Sequence, residues 1–103
     1  MKKLLIALPL TLLAFHVSAN EVSDMEFCDM TAQLAEKVMQ MRHSQNDLSM
    51  ALKSAGDNEM HKSLVLMAYE QPHYNADVVV RNQVKDFKND AHMLCLKAKG
   101  VIK

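Results

Sequence analysis

The two cysteines of this 103-residue chain limit its fold more than any other feature. Cys28 and Cys95 lie 67 positions apart, and a helical pattern surrounds each of them. A disulfide requires Cα atoms about 4.4 to 6.8 Å apart, so a bridge between these positions requires the two helices to run antiparallel. A parallel pair would separate the two sites by most of a helix length. The predicted bridge therefore also predicts the topology.

Residues 1–19 have the pattern of a removable secretory signal. Two lysines precede an uncharged apolar run at residues 4–17, and small residues lead to a cleavage point after Ala19. The run is shorter than the ~20 residues that a membrane-spanning helix needs, which argues against the alternative of an uncleaved anchor. We expect a single mature domain of residues 20–103 in the periplasm or secreted. Because that compartment is oxidising, an even number of cysteines favours the disulfide.

The mature chain divides into four segments with helical spacing. Its only glycine and proline residues are Gly56, Pro72 and Gly100, and each falls where a helical pattern stops. The predicted helices follow caps at Ser23, Asp47, either Asp57 or Asn58, and Asn75. The first and last helices have roughly twenty residues, or about 30 Å. The sequence thus predicts an all-α bundle of about four helices, with the long first and last helices antiparallel and disulfide-linked.

Apolar spacing predicts which faces of the helices are buried. The first helix carries a stripe of Phe27, Met30, Leu34, Val38 and Met41, with Cys28, Ala35 and Met39 on its flank. The last helix carries a stripe of Val80, Val84, Phe87, Ala91, Leu94 and Ala98. The third helix is apolar on every side over residues 64–69, which predicts a helix packed between others.

Composition and missing motifs argue against several classes of function. Residues 20–103 contain ten basic and twelve acidic residues, a net charge of −2 that does not favour nucleic-acid binding. The sequence has no glycine-rich phosphate loop, His-Glu-x-x-His motif or Gly-x-Ser-x-Gly motif. We therefore expect a protein without enzymatic activity or a cofactor, and without membrane attachment after signal cleavage.

Methionine and histidine leave two alternatives open. Met39, Met41 and His43 are ligand types that suit copper, although methionine is also ordinary core filler. Met39 and Met41 are two positions apart, which turns them about 200° from each other on a helix and favours the core interpretation. The four histidines of residues 20–103 would also allow a pH response. Of these, His61 and His73 show no ligand spacing, and we expect them to be solvated.

Arg42 and a tyrosine-containing turn are the candidate interaction residues. Arg42 projects into the apolar arc of the first helix, so its charge needs a partner, either Glu70 or the last carbonyls of its own helix. Tyr69 and Tyr74 flank a rigid turn that contains Glu70 and Pro72. Tyrosines on a preorganised turn are typical anchors of protein interfaces. They can equally close one end of the bundle, which is the interpretation we favour.

The same residues carry a resemblance to other proteins. They are Cys28, residues 35–42, Ala68, Tyr69, Glu70, Pro72, Tyr74, Phe87 and Cys95. In these features the chain resembles a loose group of uncharacterised small exported two-cysteine helical proteins of Gram-negative bacteria and their phages or prophages. Members of the group have Gln after the arginine and Gly before the next helix cap, where this chain has His43 and Asn46. The resemblance implies an exported helical protein and no particular activity.

The leading functional hypothesis is a non-enzymatic periplasmic interaction or inhibitor module. Its expected partner is another envelope protein, and its oligomeric state is open. The resemblance to phage and prophage proteins suggests two concrete forms of this module: an inhibitor of a cell-wall hydrolase or a factor that excludes other phages. The alternative is a copper-binding or pH-responsive protein resembling an acid chaperone.

Overall fold

A computed structural model describes residues 22–103, and the predicted signal peptide at residues 1–19 lies outside the described residues. This part of the chain forms four helices and no strand: α1 (Asp24–His43), α2 (Leu48–Ala55), α3 (Glu59–Glu70) and α4 (Asp77–Ala98). None of these four helices is both long enough and apolar enough to cross a bilayer. The predicted all-α architecture is confirmed.

The two long helices, α1 and α4, form the main packing interface of the bundle. Cys28 and Cys95 form a disulfide with their Cα atoms 5.5 Å apart. Two turns further along α1, Glu36 Oε1 lies 3.4 Å from Lys88 Nζ. As the position on α1 rises from 28 to 36, its partner on α4 falls from 95 to 88, so the helices are antiparallel. The predicted bridge and topology are both confirmed.

Side-chain caps define the starts of α1 and α3. Ser23 Oγ accepts a hydrogen bond from the Glu26 backbone N–H at 3.1 Å and donates to Glu26 Oε1 at 3.2 Å. Ser23 is therefore the cap of α1, as predicted, and the Glu26 carboxylate contacts its hydroxyl. At α3, Asn58 Oδ1 accepts from the backbone N–H of His61 at 2.9 Å. Asn58 is therefore the cap of α3, which decides between the two predicted candidates.

One predicted helix cap is wrong. Asn75 does not cap α4, which begins at Asp77 after Ala76, a residue whose side chain cannot accept a hydrogen bond. The helix α1 ends with Gln45 in the left-handed conformation, at φ +63°. The backbone N–H groups of Gln45 and Asn46 donate to the carbonyls of Arg42 and Met41. This paired termination places the left-handed residue one position before Asn46.

The core lies where all four helices meet. Its buried members are Ala35, Val38, Met39, Ala51, Ala55, Leu64, Val65, Ala68, Val84, Phe87 and Ala91. Four predicted stripe residues are outside it: Met30 and Leu94 are 51% and 52% exposed, Ala98 is also exposed, and Phe27 is half-buried. The disulfide turns Cys28 and Cys95 inward, so the buried face of α1 is centred on Cys28 and Met39. The prediction that Met30, Leu94 and Ala98 are buried is therefore wrong.

The third helix has one open side. Val65 and Ala68 are buried where α3 packs against α1 and α2, but Leu66 and Met67 are 47% and 41% exposed. α3 thus packs between two other helices, as predicted, although its apolar segment is not buried on every side. Apolar composition was a poor guide here because a small bundle has too few helices to cover every face of one of its members.

Candidate functional site

Arg42 fastens the end of the bundle that lies opposite the disulfide. Its Nε and Nη2 donate to the backbone carbonyl of Gln71 at 3.3 and 3.2 Å, and its guanidinium lies 5.6 Å from the centre of the Tyr69 ring. The predicted partners of Arg42 were Glu70 and the last carbonyls of α1, and both predictions are wrong. Gln71 caps the C-terminus of α3, where carbonyls have no helical partner, and Pro72 prevents continuation of the helix.

Tyr69 joins α3 to the connection between α1 and α2. It is half-buried, and its hydroxyl donates to the backbone carbonyl of Asn46 at 2.8 Å. Burial raises the pKa of Tyr69; the nearby Arg42 charge opposes this rise, and Asp47 adds to it. The side chain thus stays protonated and keeps its donor at physiological pH.

Tyr74 is presented at the surface by a fixed turn. Its side chain is 39% exposed. Its backbone N–H donates to His43 Nδ1 at 3.4 Å, and the two rings stack with their centres 6.2 Å apart. His73 Nε2 lies 3.2 Å from the His43 carbonyl oxygen, which ties the same turn to the end of α1. Tyr74 is therefore held in place by contacts that leave much of its ring accessible.

The five predicted interaction residues come together but divide into two groups. Arg42 and Tyr69 point into the bundle and position the turn. Glu70, Pro72 and Tyr74 are exposed on its outer side. Direct contact with a partner is thus open to the second group, while the first group acts by holding the turn.

Clefts lie on both sides of Tyr74. One of about 280 Å³ lies between the end of α1 and the start of α4, lined by Gln40, His43, Ser44, Tyr74, Asn75, Asp77 and Val80. A second cleft of about 400 Å³ is lined by Gln71, Tyr74, Val79, Asn82, Gln83, Asp86, Phe87 and Asp90. It adjoins a third of about 280 Å³, lined by Leu64, Met67, Gln71, Phe87, Asp90, Ala91 and Leu94. We call the second and third clefts together the α3–α4 groove.

Sequence reasoning missed the α3–α4 groove, although two signals in α4 point to it. Leu94 is adjacent to Cys95 and cannot share its inward direction, because neighbouring helical residues differ by about 100°. Asp86 and Asp90 are four positions apart and therefore lie on one edge of the helix. An apolar residue outside the core face beside two aligned carboxylates indicates a surface with a role other than packing.

The alternative copper site is not assembled. Met39 is fully buried in the core, and the Met41 sulfur lies 3.9 Å from the Ser54 hydroxyl. His43 Nδ1 accepts the N–H of Tyr74. The three predicted ligands therefore share no open face. Across residues 22–103, no three His, Cys, Asp or Glu side chains converge in an arrangement that could hold a metal ion.

His61 and His73 are not simply solvated, contrary to prediction. His61 stacks on Phe27 with ring centres 5.1 Å apart, and its Nε2 lies 2.9 Å from Thr31 Oγ1. The Thr31 hydroxyl donates to the Phe27 carbonyl, so it accepts the N–H of His61. Burial lowers the pKa of His61. His73 packs against His43, with ring centres 5.7 Å apart.

Comparisons of the chain with protein-family models, curated proteins and solved structures find no match. The function is therefore inferred from the residues and geometry of the chain itself.

Proposed function

We propose that residues 20–103 form an exported, non-enzymatic protein that binds another protein of the bacterial envelope, as an interaction or inhibitor module. The observation that carries this proposal is Tyr74, an exposed aromatic side chain fixed between two clefts. Tyrosine is enriched among the residues that dominate binding energy at protein interfaces. Glu70 and Pro72 on the same turn would form the rim of the contact.

The fastened ends of the bundle support a binding role. The Cys28–Cys95 disulfide holds one end, and the hydrogen bonds from Arg42 to Gln71 hold the other. A surface between two fastened ends loses little conformational freedom when a partner binds. The affinity of such a surface is therefore not reduced by a large ordering cost.

The signal-like pattern of residues 1–19 supports export, and the disulfide is compatible with an oxidising compartment. Membership of the exported two-cysteine group is part of the same proposal. A periplasmic inhibitor of a cell-wall hydrolase and a phage-exclusion factor are its two concrete forms.

Tyr74→Ala is expected to weaken binding to the envelope partner by roughly 30-fold, because truncation of a central interface residue typically costs about 2 kcal/mol. The partner is first captured from periplasmic extract with the oxidised wild-type protein. The dissociation constants of wild type and variant are then measured by isothermal titration with the purified partner.

Met30→Ala is the matched control, because Met30 is another exposed apolar residue but lies on α1, away from the turn. It should bind as tightly as wild type. Equal losses for the two variants would remove Tyr74 from the interface. Recovery of general chaperones alone would contradict a dedicated partner.

A pH-responsive protein is the second candidate function, and the histidine environments favour it. Burial lowers the pKa of His61, which stacks on Phe27, and Lys99 Nζ lies 4.7 Å from the centre of the same Phe27 ring. Protonation of His61 would place a second positive charge against the Phe27 ring. The copper alternative has no comparable observation in its favour.

The free energy of unfolding is expected to fall between pH 7 and pH 5. Because the pKa of His61 is lowered in the folded chain, the unfolded chain binds more protons below about pH 6.5. The stability that neutral His61 contributes is thus present above that pH and is lost as the pH falls through the folded pKa. Urea denaturation at both pH values measures the change.

His61→Gln should flatten this pH dependence, since glutamine does not titrate and can still donate to Thr31. An unchanged slope in the variant would show that other groups cause the loss. For an acid chaperone, an apolar dye should also bind below pH 5 to wild type and less to the variant.

A further inference from the structure

The α3–α4 groove has the length of a short helix. It extends along α4 from Val79 to Leu94, about 22 Å at 1.5 Å per residue, or some four helical turns. Toward Leu94 its floor is apolar and well packed, since Leu64, Phe87 and Ala91 are 2%, 8% and 4% exposed. Toward Val79 its lining is largely polar and includes Asn82 and Gln83. The groove is therefore a fixed feature of the bundle surface.

Exposed apolar side chains line the walls of the groove. Met67 on α3 and Leu94 on α4 are 41% and 52% exposed, and Val79 near the other end is 41% exposed. Amphipathic helices bind grooves of this kind through apolar residues spaced three or four apart. The flexible thioether of Met67 can adapt to the side chain that it meets.

Two carboxylates set the charge of the groove. Asp86 lines one of its clefts and Asp90 lines both, and the two residues are one turn apart on α4. Within residues 22–103 neither aspartate forms an ion pair with a lysine, arginine or histidine. Their charges are thus available to cations from another molecule.

Three of the four lysine and arginine residues of α4 lie on its other side. Arg81, Lys85 and Lys88 line a separate cleft between α1 and α4, where Lys88 pairs with Glu36. Along the groove α4 therefore presents Asp86 and Asp90, and Lys97 follows two turns after Asp90 near the end of the helix. A partner entering the groove meets carboxylates beside an apolar floor.

We infer that the α3–α4 groove binds one amphipathic basic helix of a partner protein. Apolar side chains of that helix cover Phe87, Met67 and Leu94, and a lysine or arginine pair at positions i and i+4 faces Asp86 and Asp90. The spacing matches because both helices rise about 6 Å over four residues. This inference rests on the proposed function and names the chemistry of its partner.

Selection from a displayed library of 18-residue helical peptides tests the inference. The library varies the apolar and charged positions, and the target is the oxidised exported protein. Enriched peptides are expected to carry an apolar face bordered by Lys or Arg four residues apart. Enrichment of acidic or non-helical peptides would overturn the inference, as would no enrichment above an untargeted control.

Binding of the best enriched peptide is then measured by fluorescence anisotropy. Asp86→Asn/Asp90→Asn is expected to weaken it about tenfold, because the partner lysines lose their counter-charges. Met67→Ala/Leu94→Ala should cause a loss of similar size through the apolar contact. All four residues are exposed, so the fold is expected to persist, and thermal denaturation checks this.

Asp57→Asn/Glu59→Gln is the matched charge control, since it removes two exposed carboxylates that do not line the groove. Its affinity should equal that of wild type. If this control weakened peptide binding as much as Asp86→Asn/Asp90→Asn, the overall charge of the protein would explain the loss. That result would overturn the inference. Sedimentation of the free protein distinguishes a second copy as the occupant, and a dimer broken by Met67→Ala/Leu94→Ala would also overturn it.

The two proposals can fail separately. Capture of an envelope partner that depends on Tyr74 but is unaffected by Asp86→Asn/Asp90→Asn would leave the proposed function standing and remove the basic helix. Selection of basic helices by the groove, without any dedicated partner in the periplasmic capture, would support the groove's preference for basic helices and contradict the proposed function.

Discussion

Replacing both Cys28 and Cys95 with serine is expected to lower the free energy of unfolding by about 4 kcal/mol. The bridge closes a loop between residues 67 positions apart, and a loop of that length loses about this much conformational entropy in the unfolded chain. The loss is a large fraction of the 5–15 kcal/mol typical of a whole domain. Urea denaturation followed by circular dichroism measures the difference.

The wild-type protein treated with a reducing agent is the control, because its unfolding curve should approach that of the double serine variant. Mass measurement first verifies that the purified wild type is oxidised, by the absence of two hydrogen atoms. A variant that loses less than about 1 kcal/mol would contradict the stabilising role of the bridge.

Met39→Ala is expected to lower the free energy of unfolding by about 2 to 5 kcal/mol, while Met39→Leu should cost less than about 1.5 kcal/mol. Met39 is the largest of the fully buried side chains. Its truncation would leave a cavity that neighbouring residues fill only in part, whereas leucine nearly conserves its volume. Chemical denaturation of the two variants measures both values.

The same pair of variants separates a core methionine from a copper ligand. A core residue tolerates leucine, but a thioether ligand does not, because leucine has no sulfur. Titration of wild type and Met39→Leu with Cu(I) provides the comparison, with Met41→Leu as the control for a partly exposed methionine. Micromolar binding by wild type that is lost in Met39→Leu without a loss of stability would contradict the core assignment.

Local chemistry in the sequence predicts much of the architecture. Ser23 and Asn58 cap helices through hydrogen bonds that reach only three residues ahead, so neighbouring residues decide them. The disulfide and the antiparallel pairing follow from Cys28 and Cys95 because covalent geometry admits few arrangements.

The apolar pattern of a helix does not determine how that helix is rotated about its own axis toward the core. Met30 and Met39 have the same hydropathy, yet one is half exposed and the other is fully buried. The difference arises from the disulfide, which turns α1 and α4 toward each other at Cys28. The apolar stripe of α1 is wider than its packing interface with α4. The sequence of α1 alone therefore does not determine which part of the stripe is buried.

The candidate site was predictable in part. The position of Arg42 in an apolar arc indicates that it needs a partner, but the partner is the backbone carbonyl of Gln71. Every residue carries such a carbonyl, so only the fold selects one. The α3–α4 groove likewise depends on how two helices diverge, a distance that neither helix encodes alone.

The pairing of the first helix with the last sets the order in which this chain acquires its structure. Synthesis releases α1 first and α4 last, so the nascent N-terminal half lacks its main packing partner. An isolated helix of this length is only marginally stable in water, and closing a long loop costs entropy before any contact compensates for it. This bundle therefore completes its fold only after α4 has left the ribosome.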